Sequence, residues 1–122
     1  MPLIDAIGKG SGNRNPKSFT LAELEALGNT TFSQLPPSTQ RWAEVQASQL
    51  HSGGTYGPAQ QRQLEMRIGG MFSQAEQGRV LAAVRFLALL NSAGGNFARL
   101  QTQRGGLTPF QRQLFGGAQF GL

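Results

Sequence analysis

The side chains that most often carry enzyme chemistry are few and scattered in this sequence. His51 is the only histidine, Asp5 is the only aspartate, and there is no cysteine. A nucleophile activated by a base and oriented by an acid needs three groups, and no spacing here brings such a set together. A metal site needs several His, Cys or acidic ligands at recognisable spacings, which are also missing. We therefore predict a non-enzymatic protein without a metal or a cofactor, and we interpret His51 as a surface residue at a helix end.

A glycine-rich stretch near the beginning of the chain, Gly8 to Gly12, also contains a lysine and a serine and invites comparison with a phosphate-binding loop. Such a loop needs the pattern G-x-x-x-x-G-K-[ST] between a strand and a helix. The spacing here is different, and no strand pattern precedes it. We interpret residues 1–18 as a flexible, basic N-terminal arm.

The C-terminal part of the chain has the most distinctive chemistry. Of a net charge of +5, all is contributed by residues 77–122, which contain five arginines and no aspartate or glutamate. Arginine makes planar, bidentate contacts with phosphates and carboxylates, and phenylalanine fills pockets or stacks on bases. We predict that residues 94–122 form a basic, Gly/Phe-rich docking arm, in which Thr108 and Pro109 supply the cap and the first position of a short helical unit. The side chains predicted to contact a partner are Phe97, Arg99, Leu100, Arg104, Phe110, Arg112, Leu114, Phe115 and Phe120.

Two kinds of partner suit such an arm, an acidic protein surface and a nucleic acid. The phenylalanines and leucines among the arginines favour a protein surface, because apolar anchors dominate protein interfaces. No zinc-ligand spacing, RNA-binding signature or helix-turn-helix pattern supports the nucleic acid.

The elements that must position these side chains are predicted to be helices. Thr20 and Glu23 form a capping box at the beginning of the first helix, and Gly28 is its predicted end. Residues 29–35 are predicted to hold a single turn, although a strand there or within 96–107 stays open.

The second and third helices are marked by proline and glycine. Ser38 is the predicted cap of a helix over about 39–51, in which Trp42 is expected to anchor the core. Pro58 fits the first position of a third helix, whose apolar spacing continues across Gly69 and Gly70. The spacing predicts a continuous but kinked helix.

The most apolar helix is predicted over residues 79–91, after a capping box formed by Ser73 and Glu76. A helix that is apolar almost all round must be buried on most sides. Because so small a chain covers it only in part, we expect self-association through this helix. The residues predicted to form this core and oligomer surface are Val80, Leu81, Val84, Leu87 and Leu90.

Together these patterns predict an all-α protein, a small bundle of three to four helices. The predicted domains are a flexible arm (1–18), a helical core (19–93) and the docking arm (94–122). The leading functional hypothesis is a structural or assembly protein of a multi-subunit particle, most concretely a small component of a virus or phage head, neck or tail. The alternatives are a nucleic-acid-binding protein and a small inhibitor or regulator of a host enzyme.

Localisation and partners follow from the same features. The N-terminus shows no secretory signal pattern, and the longest apolar stretch, Val80 to Leu90, is interrupted by Arg85 and is too short to span a membrane. We expect the protein in the cytoplasm or within a virion, bound to other protein subunits that include copies of itself.

Overall fold

The chain forms a bundle of α-helices in the computed structural model, which describes residues 21–115. No strand occurs in that range, so the all-α prediction is confirmed and the strands left open for 29–35 and 96–107 are not formed. The helices are α1 (Leu21–Ser33), α2 (Pro37–Gly53), α3 (Pro58–Met71), α4 (Gln74–Ser92), α5 (Arg99–Thr102) and α6 (Pro109–Leu114). The predicted arm over 1–18, the Thr20 cap and Phe120 lie outside the described residues. None of the helices in residues 21–115 has the length and apolar character needed to cross a bilayer.

Helix α4 lies at the centre of the bundle, as its composition predicts. Helix α2 packs against it most extensively, and α1, α3 and α6 also contact it. Near the beginning of α2, Trp42 meets Phe72, which precedes α4, with ring centroids 5.2 Å apart. At the other end, His51 of α2 lines the same groove as Asn91 of α4. The two helices therefore run in the same direction.

The beginning of α4 is set by the predicted pair, Ser73 and Glu76. The Glu76 carboxylate accepts hydrogen bonds from the Ser73 hydroxyl at 2.8 Å and from the Ser73 backbone N–H at 3.4 Å. An acidic side chain in the first turn also interacts favourably with the positive end of the helix dipole. The N-terminus that the sequence predicts for this helix is confirmed.

The prediction that Gly28 ends the first helix is wrong, because α1 continues to Ser33. Gly28 is buried and faces the ring of Phe86 on α4, and a Cβ atom at this position would overlap that ring. The glycine therefore lets α1 and α4 approach closely. A glycine after a short leucine stripe is typical of a helix end, and only the tertiary contact distinguishes the two roles.

The contact between Gly28 and Phe86 gives a stability prediction. We expect Gly28→Ala to lower the free energy of unfolding by about 1–2 kcal/mol, because overpacking outweighs the gain in helix propensity. Gly69→Ala is the matched control, since Gly69 is helical and exposed with open space around it. It should raise stability by about 0.5–1 kcal/mol. Urea unfolding of both variants checks this, and equal stabilisation by the two substitutions would contradict the packing described for Gly28.

Helix α2 begins earlier than predicted. Its first residue is Pro37, which lacks an N–H and fits the first helical position, so Ser38 lies inside the helix and is not its cap. The Gln40 amide reaches back towards the end of α1 and donates to the carbonyl oxygens of Phe32 and Leu35, both at 3.0 Å. These bonds fix the turn between α1 and α2. Helix α2 ends at Gly53, close to the end predicted near residue 51, and Gly54 directly after it adopts a left-handed conformation.

Helix α3 begins at Pro58 as predicted and continues through Gly69 and Gly70 to Met71. Leu64 and Ile68 are buried, which confirms the first part of the predicted apolar face. Both glycines are exposed with nothing close to them, so they neither end the helix nor allow another helix to approach.

Candidate binding surfaces

Residues 97–115, which the sequence assigns to a docking arm, pack against α4. Phe97 and Leu114 are only 1% and 2% exposed, and Leu100 and Phe115 are also buried. The Phe97 ring lies 5.5 Å from the ring of Phe86. Four of the side chains predicted to contact a partner thus belong to the same buried cluster as the helices of the bundle. A partner reaches them only if the segment moves away from α4.

Arg85 ties this segment to the middle of α4. Its Nε donates a hydrogen bond to the Leu114 carbonyl at 2.9 Å, and its guanidinium carbon lies 5.9 Å from the centre of the Tyr56 ring. Burial lowers the pKa of Arg85, while Tyr56 and Glu65 act in the opposite direction. Arginine stays charged at neutral pH, so the carbonyl and the aromatic face compensate its desolvation. Arg85 therefore serves the fold and is withdrawn from the basic surface predicted for the C-terminal third.

Tyr56 is the chain's only tyrosine and lies buried beside Arg85. Its hydroxyl donates to the Gln61 side-chain oxygen at 3.1 Å. Burial raises the pKa of Tyr56 above its ordinary value of 10.0; Arg85 opposes this rise and Glu65 adds to it. The folded protein therefore favours the neutral phenol.

This raised pKa predicts a loss of stability at alkaline pH. The stability contributed by the neutral phenol is fully present below the unfolded-state pKa of about 10. It is lost as the pH rises from that value through the higher folded-state pKa, because between the two values only the unfolded chain ionises. Tyr56→Phe should cost about 1 kcal/mol at neutral pH through the lost hydrogen bond but should flatten the alkaline loss. Urea unfolding at neutral and alkaline pH checks this, together with an absorbance titration of the folded protein. A phenol that ionises in the folded protein at its ordinary pKa would contradict it.

A second polar cluster, the Gln111 network, joins α6 to the end of α4. Gln111 is 1% exposed, and its amide forms reciprocal hydrogen bonds with the Gln103 amide at 2.7 and 2.9 Å. Its Nε2 also donates to the Ser92 hydroxyl at 3.1 Å, and its Oε1 accepts from the Thr108 N–H at 2.9 Å. The Thr108 hydroxyl accepts from the Gln111 N–H at 3.1 Å, which confirms Thr108 as the cap of α6. A buried amide this fully paired specifies one position for α6 on α4.

The three arginines of the predicted docking set point outward. Arg99, Arg104 and Arg112 are all exposed, while the apolar residues between them turn towards the core. Residues 77–115 contain no acidic side chain, so no carboxylate of this segment neutralises them. The outer side of the segment is therefore basic and rich in glutamine, with its aromatic side chains turned largely inward.

An open groove of about 600 Å³ lies where the ends of α2 and α4 meet α5. Its lining includes His51, Asn91, Gly94, Arg99 and Gln103. His51 occupies the last turn of α2. Within residues 21–115, no three His or acidic side chains come together as a metal site would require.

The predicted oligomer surface on α4 is only partly covered by the chain itself. Val80 and Val84 are completely buried. Leu81, Leu87 and Leu90 pack against the core but stay partly exposed.

Two exposed apolar side chains lie near the beginning of α2 and at the end of α3. Val45 and Met71 are 52% and 58% exposed. Val45 lies one turn after Trp42, and Met71 directly precedes Phe72, the ring that Trp42 contacts. We call these four residues the Trp42 patch. Trp42 itself is half-buried, so its predicted role as a core anchor describes only one side of its ring.

Comparison of the chain with protein-family models, with curated proteins and with solved structures finds no match.

Sequence reasoning missed Tyr56 and the Gln111 network. Tyr56 lies in a short loop between two helices, where a tyrosine is typically exposed. The signal for Gln111 was present, because Thr108, Pro109 and Gln111 fit a capping box. That box predicts the start of α6 but not the bonds to Ser92 and Gln103, which depend on how the segment folds back.

Proposed function

We propose that this protein is a non-enzymatic structural or assembly protein that holds subunits of a multi-subunit particle together. The observation that carries the proposal is the Trp42 patch. Exposed apolar side chains beside the Trp42–Phe72 ring contact are the kind of surface that mediates protein–protein contacts. Its tryptophan is also the residue type most enriched among the energetically dominant residues of interfaces.

The polar rim of the patch supports a specific contact. Arg67 of α3 donates to the Gln46 side-chain oxygen of α2 at 2.9 Å, next to Val45. This bond holds α2 and α3 together beside the patch.

The partly exposed leucines of α4, Leu81, Leu87 and Leu90, support the same proposal. A particle needs more than one contact per subunit, and these side chains offer apolar area apart from the Trp42 patch. In its most concrete form, we propose a small component of a virus or phage head, neck or tail. The small size of the chain, its glycine and glutamine content and the lack of cysteine are compatible with that role.

A pair of methionine variants tests the patch. Met71→Gln should weaken self-association by about tenfold, because burying one large apolar side chain contributes roughly 1.5–3 kcal/mol. Met66→Gln is the matched control, since Met66 lies on the same helix, is 72% exposed and is not part of the patch. Analytical ultracentrifugation measures both association constants.

Trp42 gives an independent readout, because it is the only tryptophan in the chain. Its emission should shift to shorter wavelength as the protein associates, and Met71→Gln should move that shift to higher concentration. Equal association by the two methionine variants would remove the patch from the proposal.

A nucleic acid is the second candidate partner, and one observation favours it. The core takes up Phe97, Leu100 and Leu114, so the exposed chemistry of this segment is basic. Side chains that would have served as apolar anchors for a protein partner are thereby removed from the surface. Exposed arginines without nearby acids remain, which is the chemistry that binds phosphates.

Two triple variants separate this candidate from a general effect of charge. Replacing Arg99, Arg104 and Arg112 with glutamine should lower the salt dependence of single-stranded DNA or RNA binding by about two in log–log slope. The control replaces Arg41, Arg62 and Arg67, three exposed arginines of α2 and α3, and changes the net charge equally. Binding that is absent, or weakened equally by both triple variants, would exclude a nucleic-acid site on this segment.

A further inference from the structure

The connection between α4 and α5 is a glycine hinge. Helix α4 ends at Ser92, and Gly94 and Gly95 follow with φ values of +67° and +88°. The Gly95 N–H donates to the Leu90 carbonyl at 2.9 Å, which closes the turn and directs the chain back along α4. This left-handed conformation is available to glycine at little cost and is strained for other residues.

The apolar pattern of α4 does not stop at this hinge. Phe86, Leu90, Ala93, Phe97 and Leu100 follow one another at alternating steps of four and three residues. That spacing places side chains on one stripe of a continuous helix. The sequence therefore supports two arrangements, a turn at the glycines and a straight continuation of α4. With the turn, Phe97 packs on Phe86 of the same chain. With the straight helix, Phe97 lies farther along the axis of α4, away from Phe86 of its own chain.

We propose that residues 94–115 exchange between two copies of this chain. The hinge straightens, and the segment of one copy packs on α4 of the other copy. There Phe97, Gln111 and Leu114 make the contacts seen within one chain. We call the surface of α4 that the segment covers the seat. The inference rests on the proposed function, because it names a second copy as the partner and this segment as the connecting element. The occupant is specified by fit, since the seat already accommodates this segment.

The contacts in the seat suit such an exchange. Arg85 binds the Leu114 carbonyl and Ser92 binds the Gln111 amide, so the seat recognises the segment through directional bonds as well as apolar area. The same contacts form in the monomer and in the exchanged dimer. The two states differ only in the conformation of the hinge and in the freedom of motion that two separate copies lose when they join. Glycine is a poor helix former, so the closed turn is favoured in dilute solution and exchange increases with concentration.

An isotope-filtered NMR experiment on the unmodified chain tests the exchange directly. A concentrated one-to-one mixture of ¹³C-labelled and unlabelled protein is unfolded, refolded together and examined for contacts between copies. The rings of Phe86 and Phe97, 5.5 Å apart, should give an intermolecular signal. Dimers in which this signal stays within one copy would overturn the exchange and leave the Trp42 patch in place as the contact.

Variants of the hinge test the exchange through the fraction of protein that forms dimers. Gly94→Ala with Gly95→Ala strains the closed turn and favours a straight helix, so the dimer association constant should rise about tenfold or more. The control, Gly105→Ala with Gly106→Ala, strains two glycines of equally positive φ that lie within the segment, and it should leave the dimer fraction unchanged. Equal association by both pairs, or a hinge variant that stays monomeric, would overturn the exchange. Because Met71→Gln addresses a different surface, its result decides the proposed function separately.

Discussion

Replacing Phe97 with alanine is expected to lower the free energy of unfolding by about 3–5 kcal/mol, the usual cost of removing a fully buried aromatic ring. The ring is 1% exposed and packs against Phe86, so its removal leaves a cavity between the C-terminal segment and α4. This is the largest effect that we expect from any single substitution. Denaturant unfolding followed by circular dichroism measures it.

Phe110→Ala is the control for Phe97→Ala, because Phe110 lies in the same segment and is only partly buried. It should cost clearly less. Since a small domain is stable by only about 5–15 kcal/mol, Phe97→Leu provides a milder variant that keeps the protein folded. Unchanged stability in both Phe97 variants would mean that the segment is not part of the core.

Gln111→Leu is expected to cost about 2–3 kcal/mol, although it places an apolar side chain in a buried position. The substitution removes the Gln111 side-chain amide, so the Thr108 N–H and the Gln103 amide each lose a hydrogen-bond partner. Each of these partly buried groups loses a hydrogen bond, and one such bond contributes about 0.5–1.5 kcal/mol. Thermal and urea unfolding measure the change.

Gln113→Leu is the matched substitution for Gln111→Leu, because Gln113 lies on the same helix and is exposed. It should change stability by no more than about 0.5 kcal/mol. A Gln111→Leu variant as stable as Gln113→Leu would show that the amide network does not hold α6 in place.

Local signals in the sequence predicted much of this fold. Pro58, the Ser73–Glu76 pair and Thr108 each mark a helix start that the structure confirms, because capping depends on residues within one turn. The apolar composition of residues 79–91 likewise placed α4 at the centre of the bundle.

The features that could not be predicted depend on contacts between distant residues. Gly28 has the sequence context of a helix end, and only its contact with Phe86 makes it a packing position. Trp42 was expected in the core, but its exposed side depends on how α3 ends beside it.

The C-terminal segment shows the same limit most clearly. Its apolar residues suggested an arm for a partner, since they follow a glycine pair and alternate with arginines. Whether Phe97 and Leu114 turn towards the chain's own core depends on the turn at Gly94–Gly95 and on the bond from Arg85, which no local pattern encodes.

The mass of the intact chain in solution decides whether this protein acts by holding subunits together. Size-exclusion chromatography with light scattering, run over a wide range of concentrations, measures it. We expect masses that rise from 13.1 kDa to whole multiples of that value, with a parallel shift of Trp42 emission to shorter wavelength. A mass of 13.1 kDa at every concentration, with unchanged Trp42 emission, would contradict it.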